Sequence, residues 1–161
     1  MYQRILVPLD GSAVAEAAIE VACRLLAPGQ GELLLVRMQE YSKEANSSDS
    51  PLLSDVFDGE HRRCEDYLEL VGDRFREDHK VAHRVLDHQL RTARVLAGTA
   101  ETYDCDLVVL TSHGRCGLER ALMGSVAEDV ARVSTRPVLI LGPQTAEVRR
   151  IKDEIQALSK R

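Results

Sequence analysis

The chain has 161 residues, 44% hydrophobic and 29% charged, with a formal net charge of −5. This is the size and balance of one globular domain with a substantial core, and its acidic excess argues against nucleic acid or an anionic membrane as the main partner. No apolar run reaches the ~18 residues of a membrane span, and "MYQRILVPLDGS" lacks the long apolar core and cleavage site of a secretory signal, so the expected location is cytoplasmic.

In chain order, "RILVPL" (4–9) is a short apolar run closed by Asp10-Gly11-Ser12, the pattern of a strand buried on both faces. Ser12 then caps a helix whose apolar positions, Val14, Ala17, Ala18, Val21, Ala22, Leu25 and Leu26, follow a 3.6-residue period until Pro28-Gly29 stops it. "ELLLVRM" (32–38) is the second buried strand. Residues 39 to 59 are rich in Ser, Asp and Asn and read as an irregular segment, long for an idle connection. Residues 60 to 77 read as a helix, with Tyr67, Leu68, Val71 and Phe75 on one side. "KVAHRVL" (80–86) alternates as a strand does, Thr92 to Thr102 is the next helix, and "DLVVLT" (106–111) is the fourth strand. A helix over Ser125 to Val133 and a strand "PVLIL" (137–141) complete the repeat. The end of the chain forms an amphipathic helix, with Val148, Ile151, Ile155 and Leu158 on one face, suited to docking on the body or on a second subunit.

Strand–helix alternation predicts an α/β fold: an open, doubly wound, five-stranded parallel sheet with helices on both faces, plus the C-terminal amphipathic helix. Five strands are too few for an eight-stranded barrel. In open sheets, ligands bind beyond the carboxyl ends of the strands, where strand order reverses. Attention therefore falls on the turns after the first and fourth strands.

Cys23, Cys64, Cys105 and Cys116 form no Cys-x-x-Cys pair, zinc spacing or disulfide framework. Cys23 and Cys105 read as small hydrophobes, and Cys116, in a glycine loop, as a bystander thiol. His79, His83 and His88 read as surface histidines rather than a metal site.

The turn after the fourth strand, "LTSHGRCGLERALMGSVAED" (110–129), carries Gly114, Gly117 and Gly124. Gly124-Ser125 precedes a helix, whose N-terminal N–H groups and partial positive charge suit an anion. Ser125 has two available jobs: a donor to phosphate, or the cap of its own helix in the capping box "SVAE" (125–128), with Glu128 reaching back. On local grounds the capping role is at least as strong. The loop has neither the lysine of a P-loop nor the G-x-G-x-x-G fingerprint. Asp10, directly after the first strand, suits a ribose hydroxyl or a phosphate-bound magnesium, and equally a helix cap or an Asp-Gly turn.

Taken together, "RILVPLDGS", "DLVVLTSHGRCGLERALMGSVAEDV" and "RPVLIL" make residues 2 to 142 resemble the universal stress protein family. The resemblance implies a Rossmann-like fold of the adenine-nucleotide-binding type and a homodimer through the last strand (137–141). It sets a domain at 1–142 and a helical extension at 143–161. The family's nucleotide-binding branch carries G-x-x-G, nine residues, then G-[ST]; here Gly114, Arg115 to Met123 and Gly124-Ser125 match, while Thr111 stands in the place of the first glycine. By resemblance, Pro8, Leu9 and Asp10 line the adenosine end and Met38 contacts adenine. Leu110, Thr111, His113, Gly114 and Arg115 follow the ribose and phosphates, and Gly124, Ser125 and Val126 hold the terminal phosphates. The implied function is binding of ATP, with magnesium reached through Asp10, as a regulatory ligand and not for catalysis. The alternative is a dimeric stress-related interaction module that binds no nucleotide, the reading that Thr111 favours.

Overall fold

In the computed structural model, residues 1–39, 51–87, 91–112 and 123–158 are described, with side chains from residue 58 onward in the second segment. The elements run β1 (Arg4–Leu9), α1 (Ala13–Leu25), β2 (Glu32–Gln39), α2 (Pro51–Asp73), β3 (Lys80–Asp87), α3 (Thr92–Thr102), β4 (Leu107–Thr111), α4 (Ser125–Val133), β5 (Val138–Leu141) and α5 (Ala146–Leu158). All five strands are parallel, in the open order β3-β2-β1-β4-β5.

Strand alternation sorts the apolar side chains onto two faces. Ile5, Val7, Leu9, Leu33, Leu35, Leu107, Val109 and Leu141 join α1, Leu68 and Val71 of α2, and Val148 of α5 in one core cluster. Leu6, Leu34, Val36, Val108 and Leu110 join Ala93, Leu96 and Ala100 of α3 and Ala127 and Val130 of α4 in the other. The sheet is thus covered on both sides, which is why its strands read as continuous apolar runs.

Two expectations need correction. Residues 39 to 59 are not irregular throughout. Gln39 closes β2, and α2 begins at Pro51, since a proline at the first helical position loses no hydrogen bond and has a helical φ already set. Residues 40–50 lie outside the described residues. The same helix ends at Asp73, short of residue 77, in a turn where Phe75 N–H donates to the Gly72 carbonyl at 3.0 Å.

The C-terminal helix docks on the body. Val148 is buried among the α1-side residues, Ile151 packs beside it, and the ion pairs Arg24–Glu147 and Arg150–Glu20 tie α5 to α1. No helix among the described residues is long and apolar enough to cross a membrane.

Candidate functional site

Strand order reverses between β1 and β4, the position where open sheets bind ligands. Asp106 N–H donates to the Arg4 carbonyl at 2.8 Å, so the backbone groups of even-numbered β1 residues face β4. Pro8 is the next but one of these, and it has no N–H to give. Pairing between β1 and β4 accordingly covers only Ile5–Leu107 and Leu6–Val108, while β1 stays paired with β2 through Leu9–Arg37. The β1–β4 bridges thus stop before Pro8 at the carboxyl end of the sheet, where α1 packs on one face and α4 on the other.

On the β1 side, Asp10 makes a tight turn. Its Oδ1 accepts from Ser12 N–H at 2.9 Å and from Ser12 Oγ at 2.6 Å. Ser12 Oγ in turn accepts from Ala15 N–H at 3.2 Å and caps α1. Of the two structural jobs open to Asp10, it therefore takes the turn, and Ser12 takes the cap. Gly11 sits at φ +84, a left-handed conformation that glycine adopts without Cβ strain.

On the β4 side, Ser112 is buried, its N–H donates to the Leu141 carbonyl at 2.8 Å, and its carbonyl accepts from Gly124 N–H at 2.7 Å. The last bond ties the residue after β4 to Gly124, the cap of α4, with φ −71 and ψ 147. Ser125 is the first helical residue, no side chain caps the helix, and Glu128 pairs forward with Arg132 at 2.7 Å. The expected capping box is therefore not formed: backbone anchoring moves the cap one residue back and leaves the Ser125 hydroxyl outside that role.

A cavity of about 300 Å³ lies beside this helix start, lined by Ser125, Val126 and Asp129 of α4 and by Arg91, Thr92 and Ala93 at the start of α3. Sequence reasoning missed the α3 contribution. Arg91 and Thr92 belong to no motif, and only packing of α3 beside α4 brings them there. The cavity is thus lined by residues at the N-terminal ends of two helices, Arg91 among them.

The sequence-selected residues divide between the faces. Met38 and Leu110 pack on the α3/α4 side, and alternation puts Pro8 there too. Leu9 is a core residue on the α1 side. Thr111, following Leu107 and Val109 in alternation, is directed to the α1 side as well. His113, Gly114, Arg115, Cys116 and Gly117 lie outside the described residues.

Arg37 follows Leu33 and Leu35 in the α1-side row of β2, one place before Gln39. Its guanidinium lies over the Tyr67 ring, 4.7 Å from the centroid. Tyr67 Oη donates to Glu16 Oε1 at 3.1 Å, and Arg74 Nη1 donates to Glu16 Oε2 at 2.7 Å. Burial, reinforced by the Glu16 carboxylate, raises the Tyr67 phenol well above its ordinary pKa. Among the described residues, no group of three or more His, Cys, Asp or Glu side chains forms a metal cluster.

The chain matches the universal stress protein family over residues 1–142. It is 28% identical over 150 residues to universal stress protein YxiE of Bacillus subtilis, covering 88% of this chain and 99% of that protein. The structure of MJ0577, a universal stress protein of Methanocaldococcus jannaschii, superposes with a TM-score of 0.76 at 22% identity, covering 91% of this chain and 99% of that one. A family protein from Arabidopsis thaliana, with AMP bound, shares the fold at a TM-score of 0.60 and 15% identity over 90% of this chain and 94% of that one. With its open parallel sheet and a family match over all five strands, the chain belongs to the universal stress protein family.

Proposed function

We propose that this chain binds an adenine nucleotide, ATP with magnesium, as a regulatory ligand in the cytoplasm. The observations that support the reading are the end of β1–β4 pairing at Leu6–Val108, before Pro8, and the cavity beside the start of α4 lined by Ser125 and Val126. A helix N-terminus, with its unpaired N–H groups, is suited to phosphate, and the AMP-bound Arabidopsis protein of the same fold supports an adenine ligand. In this reading Pro8, the Leu9 backbone, Asp10 and Met38 take the adenosine end. Leu110, Thr111, His113, Gly114 and Arg115 follow the ribose and phosphates, and Gly124, Ser125 and Val126 take the terminal phosphates. Magnesium suits an oxygen set of carboxylate plus phosphate, and Asp10 is the carboxylate directly after β1. The alternative, a module without nucleotide, rests on Thr111. Its direction toward the α1 side supports binding instead, because its Cβ points away from the α3/α4 cavity.

We further propose a homodimer through β5. That edge strand carries half-buried Val138, Leu139 and Ile140 and no charge, whereas the opposite edge, β3, carries Lys80, His83 and Arg84. Charged edges resist pairing and apolar ones invite it. Calorimetric titration with MgATP tests the nucleotide reading: saturable heat is expected, and neither heat nor a thermal shift at millimolar ATP would overturn it.

A further inference from the structure

The carboxyl end of the sheet has a second side, which the nucleotide reading does not use. There Arg37, paired in register with Leu9, lays its guanidinium flat against the turn: a Cβ at Gly11 would stand 3.0 Å from Nη1 and 3.1 Å from both Cζ and Nη2. The same group lies over the Tyr67 ring at 4.7 Å. Tyr67 belongs to α2, and its hydroxyl donates to Glu16 of α1, which also accepts from Arg74 just past the end of α2. A planar guanidinium can press a face on a backbone and on a ring, and an ammonium cannot. Gly11 therefore suits the turn twice, through its φ of +84 and because a Cβ there would crowd the Arg37 guanidinium. The turn held in this way is the one that fixes Asp10 through Ser12 at the carboxyl end of β1.

We propose that Arg37, backed by Tyr67, is the positioning residue of the Asp10–Ser12 turn and makes nucleotide affinity depend on the seating of α2. The second half of this inference rests on the nucleotide reading, and the first half does not.

The test uses the full chain and four variants: Arg37→Ala, Arg37→Lys, Tyr67→Ala and Tyr67→Phe. Two readouts are taken at a temperature where each is folded: hydrogen exchange of the Ser12 amide by NMR, and MgATP affinity by calorimetry. Arg37→Ala, Arg37→Lys and Tyr67→Ala should each speed Ser12 exchange and weaken MgATP binding by about tenfold. Tyr67→Phe, which keeps the ring face, should stay near wild type in both. Ser12 exchange unchanged in Arg37→Ala, or restored by lysine, overturns the clamp. Faster exchange with unchanged affinity overturns the link to the nucleotide. If the wild-type chain binds no nucleotide at millimolar concentration, the nucleotide reading and the link fall together, and Ser12 exchange still decides the clamp. Should the alanine variants fail to fold, Arg37→Lys against Tyr67→Phe decides the same question.

Discussion

Replacing Ser125 with Asp should push stability and nucleotide affinity in opposite directions. Ser125 is the first residue of α4, whose cap is Gly124 and whose start has no side-chain hydrogen bond to lose. A carboxylate in the first turn of a helix gains about 0.3–1 kcal/mol from the partial positive charge there. The nucleotide-free protein should melt at the same temperature as wild type or slightly above it. The same carboxylate about 4 Å from a phosphate is repelled by about 1 kcal/mol at the dielectric of water and about 4 kcal/mol at that of a protein surface. Affinity should therefore fall by between about fivefold and about a thousandfold, and by less for AMP than for ATP. Ser125→Asn, of similar shape and without charge, should stay within a few-fold of wild type. Calorimetric titrations with and without magnesium, beside thermal melts without nucleotide, read both effects; magnesium matters because a carboxylate beside phosphates can take up the cation. An unchanged ATP dissociation constant with an intact melt would place the phosphates away from α4.

The remaining predictions concern the frame of the site. Gly11→Ala should cost about 2–3 kcal/mol, from a left-handed Cβ and a displaced Arg37, and a melting temperature within about 1 °C of wild type would contradict it. Glu147 is held below the ordinary carboxylate range, first by its hydrogen bond from Arg24 and then by its own backbone hydrogen bond. Its contribution to α5 docking is thus present above the unfolded carboxylate pKa and lost as pH falls through the lower folded value. Proteolysis or exchange should show α5 loosening in acid, and Glu147→Gln should have lost that pH dependence; a Glu147→Gln variant with the wild-type profile would reject the pair as its source. Burial pushes the Cys23 and Cys105 thiols up to about 11, leaving about one thiolate in ten thousand at pH 7. Mass spectrometry after iodoacetamide at pH 7 should find both unmodified in the folded protein, and rapid labelling of Cys105 would show that its pocket opens.

Much of the fold is legible because burial on two faces writes itself into composition. The runs "ILVPL", "LLLV" and "LVVL" become strands whose alternate residues enter opposite cores. The helix from Ser125 to Val133 was also readable, since its apolar positions keep one period. The start of α2 was not, because Ser, Asp and a mid-helix Gly59 weaken the pattern; Pro51, at the first helical position, was the available signal. The capping box misled for a different reason. "SVAE" satisfies the local rule, yet the backbone bond from Gly124 to Ser112 sets where the helix begins.

The sequence by itself determined the strand–helix order, the sheet's burial, the family resemblance and the two turns proposed for the ligand, because each rests on neighbours along the chain. Tertiary structure alone decided that Pro8 faces β4 beyond the last β1–β4 bridge, and that Thr111 turns to the α1 side. It also brought Arg91 and Thr92 beside Ser125, and Arg37 against Gly11 and Tyr67. These facts depend on strand order and face, and neighbours 26 to 34 positions apart in the chain leave no local pattern to read.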